Sequence, residues 1–269
     1  MNVLSYPTRA ISSLGNLLIK QVTAAGQLTI LMFQIGYWLI NGKRSWKNIS
    51  EQLNEIGVNS IPVISVCSLF AGMVLVVQVG KQFASISAVA FIGGTVGLSL
   101  ARELAPLITA VVIAGRNGSA MAAELGTMKV TEQIDALVAL SVNPVSYLII
   151  PRVIACVVMV PVLTIFSNII GLVGGVIVAI SQVGITSPVY FNSVVDNVTV
   201  TDFVSGIIKS AVFGLIIGVV AAHKGLSCDG GAEGVGKATT SSVVMIITLL
   251  LIVNYLLSSL FFIHQQGMA

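Results

Sequence analysis

The sequence predicts an all-α membrane protein, with an N-terminal interfacial amphipathic helix, five transmembrane helices and one further short helix between spans. Three observations predict it. Only 9% of the 269 residues are charged and 56% are hydrophobic, whereas soluble domains carry about 25% charge. The apolar residues collect into runs that meet the roughly 20 residues a helix needs to cross the hydrocarbon. Threading five such runs through a bilayer also puts nearly all Lys and Arg on one side. A soluble surface needs charge, whereas a lipid-facing one is penalised for it, and the mean hydropathy of +1.01 has the same sense.

The first element, from Thr8 to Ile40, is amphipathic. Ser12, Asn16, Lys20 and Gln27 interrupt leucines and isoleucines at near-helical spacing, the pattern of a helix lying in the membrane interface. Leu28 to Ile40 is apolar enough to dip deeper, with Tyr37 and Trp38 at headgroup level. The basic elbow Lys43, Arg44 and Lys47 follows and suits anionic lipid. Residues 1–47 thus form one unit and residues 48–269 a five-span domain.

The spans are expected at about Ile56–Gly80, Ala88–Gly115, from Arg152 toward Ser181, Phe203–Ala222 and Val243–Ile263. Between the second and third, residues 117–142 form a polar segment. Within it Ala120–Leu140 has strong helix formers and apolar residues at helical spacing, so a short amphipathic helix should end before Pro144. It suits either an ordinary connection or a lever that docks on a soluble partner. Ser181–Asp202 and the glycine-rich stretch with Lys224, Asp229, Glu233 and Lys237 read as loops.

With the N-terminus in the cytoplasm, Arg116, Lys129, Arg152, Lys224, Lys237 and the basic elbow all fall inside. Outside are Lys81, a loop lacking Lys and Arg, and the tail after His264, so the C-terminus is periplasmic. The net charge of +3 is spread along the chain, giving no footprint for nucleic acid. Cys67, Cys156 and Cys228 have neither disulfide nor zinc spacing. The residues after Arg9 lack the compact apolar core of a cleavable signal, and with no transit peptide legible the expected setting is bacterial.

Three pairs of glycines, Gly93/Gly97, Gly171/Gly175 and Gly214/Gly218, have the spacing that lets helix backbones approach. They serve packing within one bundle or a subunit interface. No internal repeat is visible, which disfavours an inverted-repeat transporter built from this chain alone.

Arg102 and Glu103 lie within the second apolar run, where a charge costs several kcal/mol unless paired or hydrated. Neighbours on a helix point about 100° apart, so the two cannot neutralise each other face to face. They are either a structural pair satisfied by their surroundings or the lining of a substrate path. Lys209 is the other intramembrane charge, in the outer half of the fourth span, with a side chain long enough to snorkel. Lys209 and Arg102 can together hold an anionic headgroup, or Lys209 can pair with Glu103.

Gly231-Ala-Glu-Gly-Val-Gly-Lys237 nearly spells a phosphate-binding loop. Ala238 occupies the magnesium-ligand position, however, and there is no room for the strand–loop–helix setting such a loop requires. His223 and His264 belong to opposite membrane faces, and neither a nucleophile elbow nor a zinc-protease motif occurs. A lipid-modifying enzyme would therefore lack a reactive constellation.

The segment Arg102-Glu-Leu-Ala-Pro-Leu, followed by Ala114-Gly-Arg-Asn-Gly-Ser-Ala-Met-Ala-Ala-Glu-Leu-Gly-Thr-Met-Lys-Val-Thr-Glu-Gln-Ile-Asp-Ala-Leu137, resembles the MlaE/YrbE permease family. Asn143-Pro, Pro151-Arg and Gly234-Val-Gly-Lys-Ala-Thr-Thr240 fit the same pattern. These are the membrane subunits of ABC transporters that work with MCE proteins, a chloroplast-envelope relative among them. The resemblance implies a homodimer of five-span subunits in a bacterial inner membrane, a cytoplasmic ABC ATPase, and an MCE-domain protein on the periplasmic side. The cargo it implies is phospholipid, in the service of outer-membrane lipid asymmetry or envelope lipid trafficking. ATP and Mg would sit on the ATPase, with no cofactor or metal in this chain, which is then no enzyme. The resemblance places Arg102, Glu103 and Lys209 in the lipid cavity. It makes the segment with Glu124, Leu125, Gly126, Met128, Lys129, Glu132, Gln133 and Asp135 the element that couples to the ATPase. An ion-coupled secondary transporter or channel, with the three intramembrane charges as a relay, is the alternative.

Overall fold

The structure, a computed structural model, describes residues 5–41 and 45–266. Lys43 and Arg44 of the basic elbow lie outside the described residues. Among those described, all regular structure is helical. In chain order the helices are α1 (Ser5–Asn41), α2 (Trp46–Ile56), α3 (Ile61–Ser85), α4 (Val89–Val130), α5 (Gln133–Ala139), α6 (Val145–Val183), α7 (Ser187–Asn197), α8 (Val200–Leu226) and α9 (Gly231–Gln266). Five segments among the described residues are long and apolar enough to span a membrane: α2 with α3, then α4, α6, α8 and α9.

The first spanning segment contains a break that its hydropathy does not show. Ser45 caps α2 by accepting from the Asn48 amide, and α2 buries Ile49 and Ile56 while its carboxylates face outward. The chain turns at Gly57, and Pro62, in the first turn of α3, restarts a helix where a missing N–H costs nothing. Ile56 therefore ends the amphipathic helix α2, and α3 continues the spanning segment from Ile61.

The second span departs from expectation more strongly. α4 continues through Arg116 to Val130 without a break, so residues 116–130 are not a loop. At about 1.5 Å per residue its 42 residues reach about 60 Å, twice the roughly 30 Å of hydrocarbon. Its final turns must extend beyond the bilayer. Glu132, in a left-handed conformation with φ 60°, then breaks the chain into the separate short helix α5. The single amphipathic helix expected over 120–140 is thus the end of one helix and the whole of another.

Two expected loops also contain helix. Ser181–Asp202 holds α7, and the glycine-rich stretch forms the first turns of α9, where Glu233 and Lys237 pair at 2.7 Å. The near-match to a phosphate-binding loop is therefore helical.

Packing depends on close backbone contact. A Cβ at Gly72 of α3 would strike the Gly171 carbonyl of α6, and one at Gly214 of α8 would strike the Cys156 carbonyl of α6. Gly93 of α4 lies as tightly against Tyr190 of α7. Members of all three glycine pairs thus serve packing within the bundle. The main core joins α4, α6, α8 and α9 around Ile113, Leu163, Phe213 and Ile246. α1 adds Leu31 and Ile35 to a second cluster with Ile149, Val153 and Val219.

Candidate functional site

Proline chemistry begins the site. Pro106 has no N–H with which to close the helical bond to the carbonyl of Arg102, four residues back. α4 widens there into a π turn over Leu100–Leu104, a distortion frequent at functional sites. The turn carries Arg102 and Glu103, and the Arg102 carbonyl accepts from Lys209 Nζ at 3.1 Å.

Lys209 projects from α8 and is only 2% exposed. Its other donors reach Glu103 Oε1 at 2.6 Å and Ser258 Oγ of α9 at 2.8 Å. An ammonium has three N–H bonds, and each finds an acceptor. Lys209 therefore does not snorkel; it is held inside the bundle by a neutralising carboxylate, as a buried charge requires. Glu103 also accepts from Asn254 Nδ2 at 3.1 Å and lies 2.9 Å from the Ser258 hydroxyl. One carboxylate thus ties α4 to both α8 and α9.

Arg102 turns elsewhere. Its Nε donates to Asp202 Oδ1 at 2.6 Å, and Nη2 lies 2.5 Å from the same oxygen. Asp202 is buried, and its Oδ2 accepts from the Thr199 amide at 3.0 Å and the Thr199 hydroxyl at 2.7 Å. Thr199 and Asp202 form a capping box at the start of α8, so the residue that starts the helix also fixes Arg102. A cavity of about 380 Å³ opens here, lined by Arg102, Glu103, Lys209 and Ser258 with the aromatic rings of Tyr255 and Phe261.

The three intramembrane charges expected to act together are therefore adjacent, and Lys209 takes the pairing with Glu103. Asp202, Asn254 and Ser258 join the site beyond the residues expected. Asp202 falls at the end of an expected loop, although Thr199-x-x-Asp202 before an apolar run is a capping signature. Asn254 and Ser258 stand four apart in an apolar span, the spacing of one helix face, and that was the available signal.

The residues expected to couple to an ATPase lie at the opposite end of the bundle, the end rich in Lys and Arg. Glu124 pairs with Arg152 of α6 at 2.8 Å, and Lys129 with Asp135 at 3.3 Å. Leu125 is buried and Gly126 packs on Cys228, so both act within the bundle. Met128 and Lys129 are half-buried, while Glu124, Glu132, Gln133 and Asp135 are exposed. At the same end Arg116 donates to Ser60 Oγ at 2.6 Å and pairs with Glu55 at 3.2 Å, joining α2 to α4. Among the described residues no three His, Cys, Asp or Glu side chains gather as a metal site.

Comparison with known proteins places this architecture. The family described as Permease MlaE matches residues 49–260. A probable ABC transporter permease protein of Synechocystis is 44% identical over 229 residues, covering 85% of this chain and 87% of its own. A probable ABC transporter permease protein of Rickettsia felis is 39% identical over 251 residues, covering 93% and 97%. The chloroplastic protein Trigalactosyldiacylglycerol 1 of Arabidopsis thaliana is 40% identical over 243 residues, covering 90% of this chain and 69% of its own.

Proposed function

The chain belongs to the MlaE permease family, as the membrane subunit of an ABC transporter, and on that premise we propose that it moves glycerophospholipids between the bacterial inner membrane and an MCE-domain partner. Two copies enclose the lipid path, and a separate cytoplasmic ATPase supplies ATP hydrolysis. The observation that carries this reading is the cavity walled by Arg102, Glu103 and Lys209. It offers charged groups for a headgroup and apolar and aromatic surface for chains, within a bundle whose outer faces are lipid-like. The Arabidopsis relative is named for trigalactosyldiacylglycerol, which supports a diacylglycerol-based lipid as cargo.

The basic end of the bundle faces the cytoplasm by the bias of Lys and Arg. The part of α4 beyond the hydrocarbon and α5 form the ATPase contact there. Val138 and Leu140 are 58% and 74% exposed at this polar end, where apolar exposure suits a protein partner. ATP binding moves α5 and the end of α4 as a lever, and the single continuous helix α4 carries that motion to Arg102 and Glu103, a rigid-body switch.

Native mass spectrometry of the complex drawn from its own membrane tests this. Two copies with two ATPase subunits, an MCE oligomer and bound phospholipid are expected. A partner-free assembly that still transports would overturn the reading in favour of an ion-coupled transporter or channel.

A further inference from the structure

The two mid-bundle ion pairs divide their members in the same way. Asp202 and Lys209 are 1% and 2% exposed, whereas their partners Arg102 and Glu103 are 36% and 39% exposed. The open member is the cation in one pair and the anion in the other, and the two are chain neighbours on the same π turn. The cavity wall therefore shows one positive and one negative group side by side, over a set of four charges with no net charge.

The buried members are not free to rearrange. Asp202 is tied to the N-terminus of α8 through Thr199, and Lys209 uses all three donors on the Arg102 carbonyl, Glu103 and Ser258. A ligand consequently meets Arg102 and Glu103 together. A headgroup with only negative charge gains from Arg102 and is opposed by Glu103, adjacent in sequence. A headgroup with a phosphodiester and a terminal ammonium finds an opposite charge for each end. Tyr255 and Phe261 line the same cavity, and aromatic side chains are the type that attract an ammonium, methylated or not.

We propose that this cavity selects zwitterionic glycerophospholipids over net-anionic ones, with the phosphodiester at Arg102 and the ammonium at Glu103. The proposal rests on the lipid-permease reading above and adds the class of headgroup. Ethanolamine and choline headgroups share the required chemistry.

The test reconstitutes the purified transporter complex with equal amounts of phosphatidylethanolamine, phosphatidylcholine and phosphatidylglycerol bearing identical chains. Mass spectrometry then quantifies the lipids that the protein retains and those transferred on ATP addition. One or both zwitterionic lipids should exceed phosphatidylglycerol by roughly tenfold, the factor of one charge-assisted hydrogen bond. Asp202→Asn and Glu103→Gln each remove one negative charge, and either should move the ratio toward phosphatidylglycerol by about the same factor. Asn retains an oxygen able to cap α8, and the wild-type ratio decides the matter even if neither variant assembles. ATP-driven transfer that favours phosphatidylglycerol, or that ignores headgroup, overturns the selectivity and leaves the permease reading standing. Absence of ATP-driven transfer for all three lipids overturns the permease reading and the selectivity with it.

Discussion

Ion pairs join helices in two regions of this molecule, and the two sets are built differently. At the basic end, Arg116–Glu55 links α2 to α4 with both side chains open to water, while Arg152–Glu124 links α4 to α6 with an exposed carboxylate on a buried arginine. Along the cavity wall, Arg102–Asp202 and Lys209–Glu103 link α4 to α8, and each contains one fully buried charge. Where water reaches a carboxylate, losing the partner costs little, since solvent replaces it. In the spans no water replaces a lost partner, so every donor must be matched. The mid-bundle network meets that demand in full around Lys209. A charge arrangement this demanding persists where it serves a purpose, and the cavity beside it supplies one.

The comparison predicts a ranking of effects. Glu103→Ala should be the most damaging, lowering stability by about 3 kcal/mol because it leaves the buried Lys209 without its counter-charge, and abolishing transfer; melting in detergent and a transfer assay check the two losses. The double variant Lys209→Met with Glu103→Leu should recover most of that stability, because an apolar pair of similar volume replaces a buried ion pair at little cost. Transfer should stay absent in it, which separates folding from function. Asp202→Ala comes next: it removes both the Arg102 partner and the carboxylate that accepts from the Thr199 amide in the capping box, and Asp202→Asn should lose less. Glu55→Gln should cost under about 1 kcal/mol, and less still in high salt, where exposed charges are screened. If Glu55→Gln destabilised the protein as much as Glu103→Ala, the distinction between the two regions would collapse.

Much of this architecture was legible in the sequence because the bilayer is a strict solvent. The five spans and the expense of Arg102, Glu103 and Lys209 follow from hydropathy alone. The pairing of Lys209 with Glu103 was one of two options, since it needs the register of α8 against α4, which only packing at contacts such as Gly206 on Ala101 sets. Asp202 was hidden by its double duty: a capping residue next to a polar loop reads as part of that loop. The extension of α4 to Val130 was missed because polarity marks where the hydrocarbon ends, and a helix need not stop there. Gly72 was overlooked as a close contact because its partner glycine, Gly171, lies on another helix and not four residues away. Helix α9 starts earlier than its apolar run because helix formation continues into water wherever local pairs such as Glu233–Lys237 support it.

The most direct test of the central claim is ATP-driven phospholipid transfer by the complex carrying Lys209→Met together with Glu103→Leu, measured alongside its subunit composition. The account predicts that the variant assembles with its ATPase and transfers no lipid above background. Full transfer by a normally assembled double variant would contradict it, because the polar groups walling the cavity would then have no part in handling the cargo.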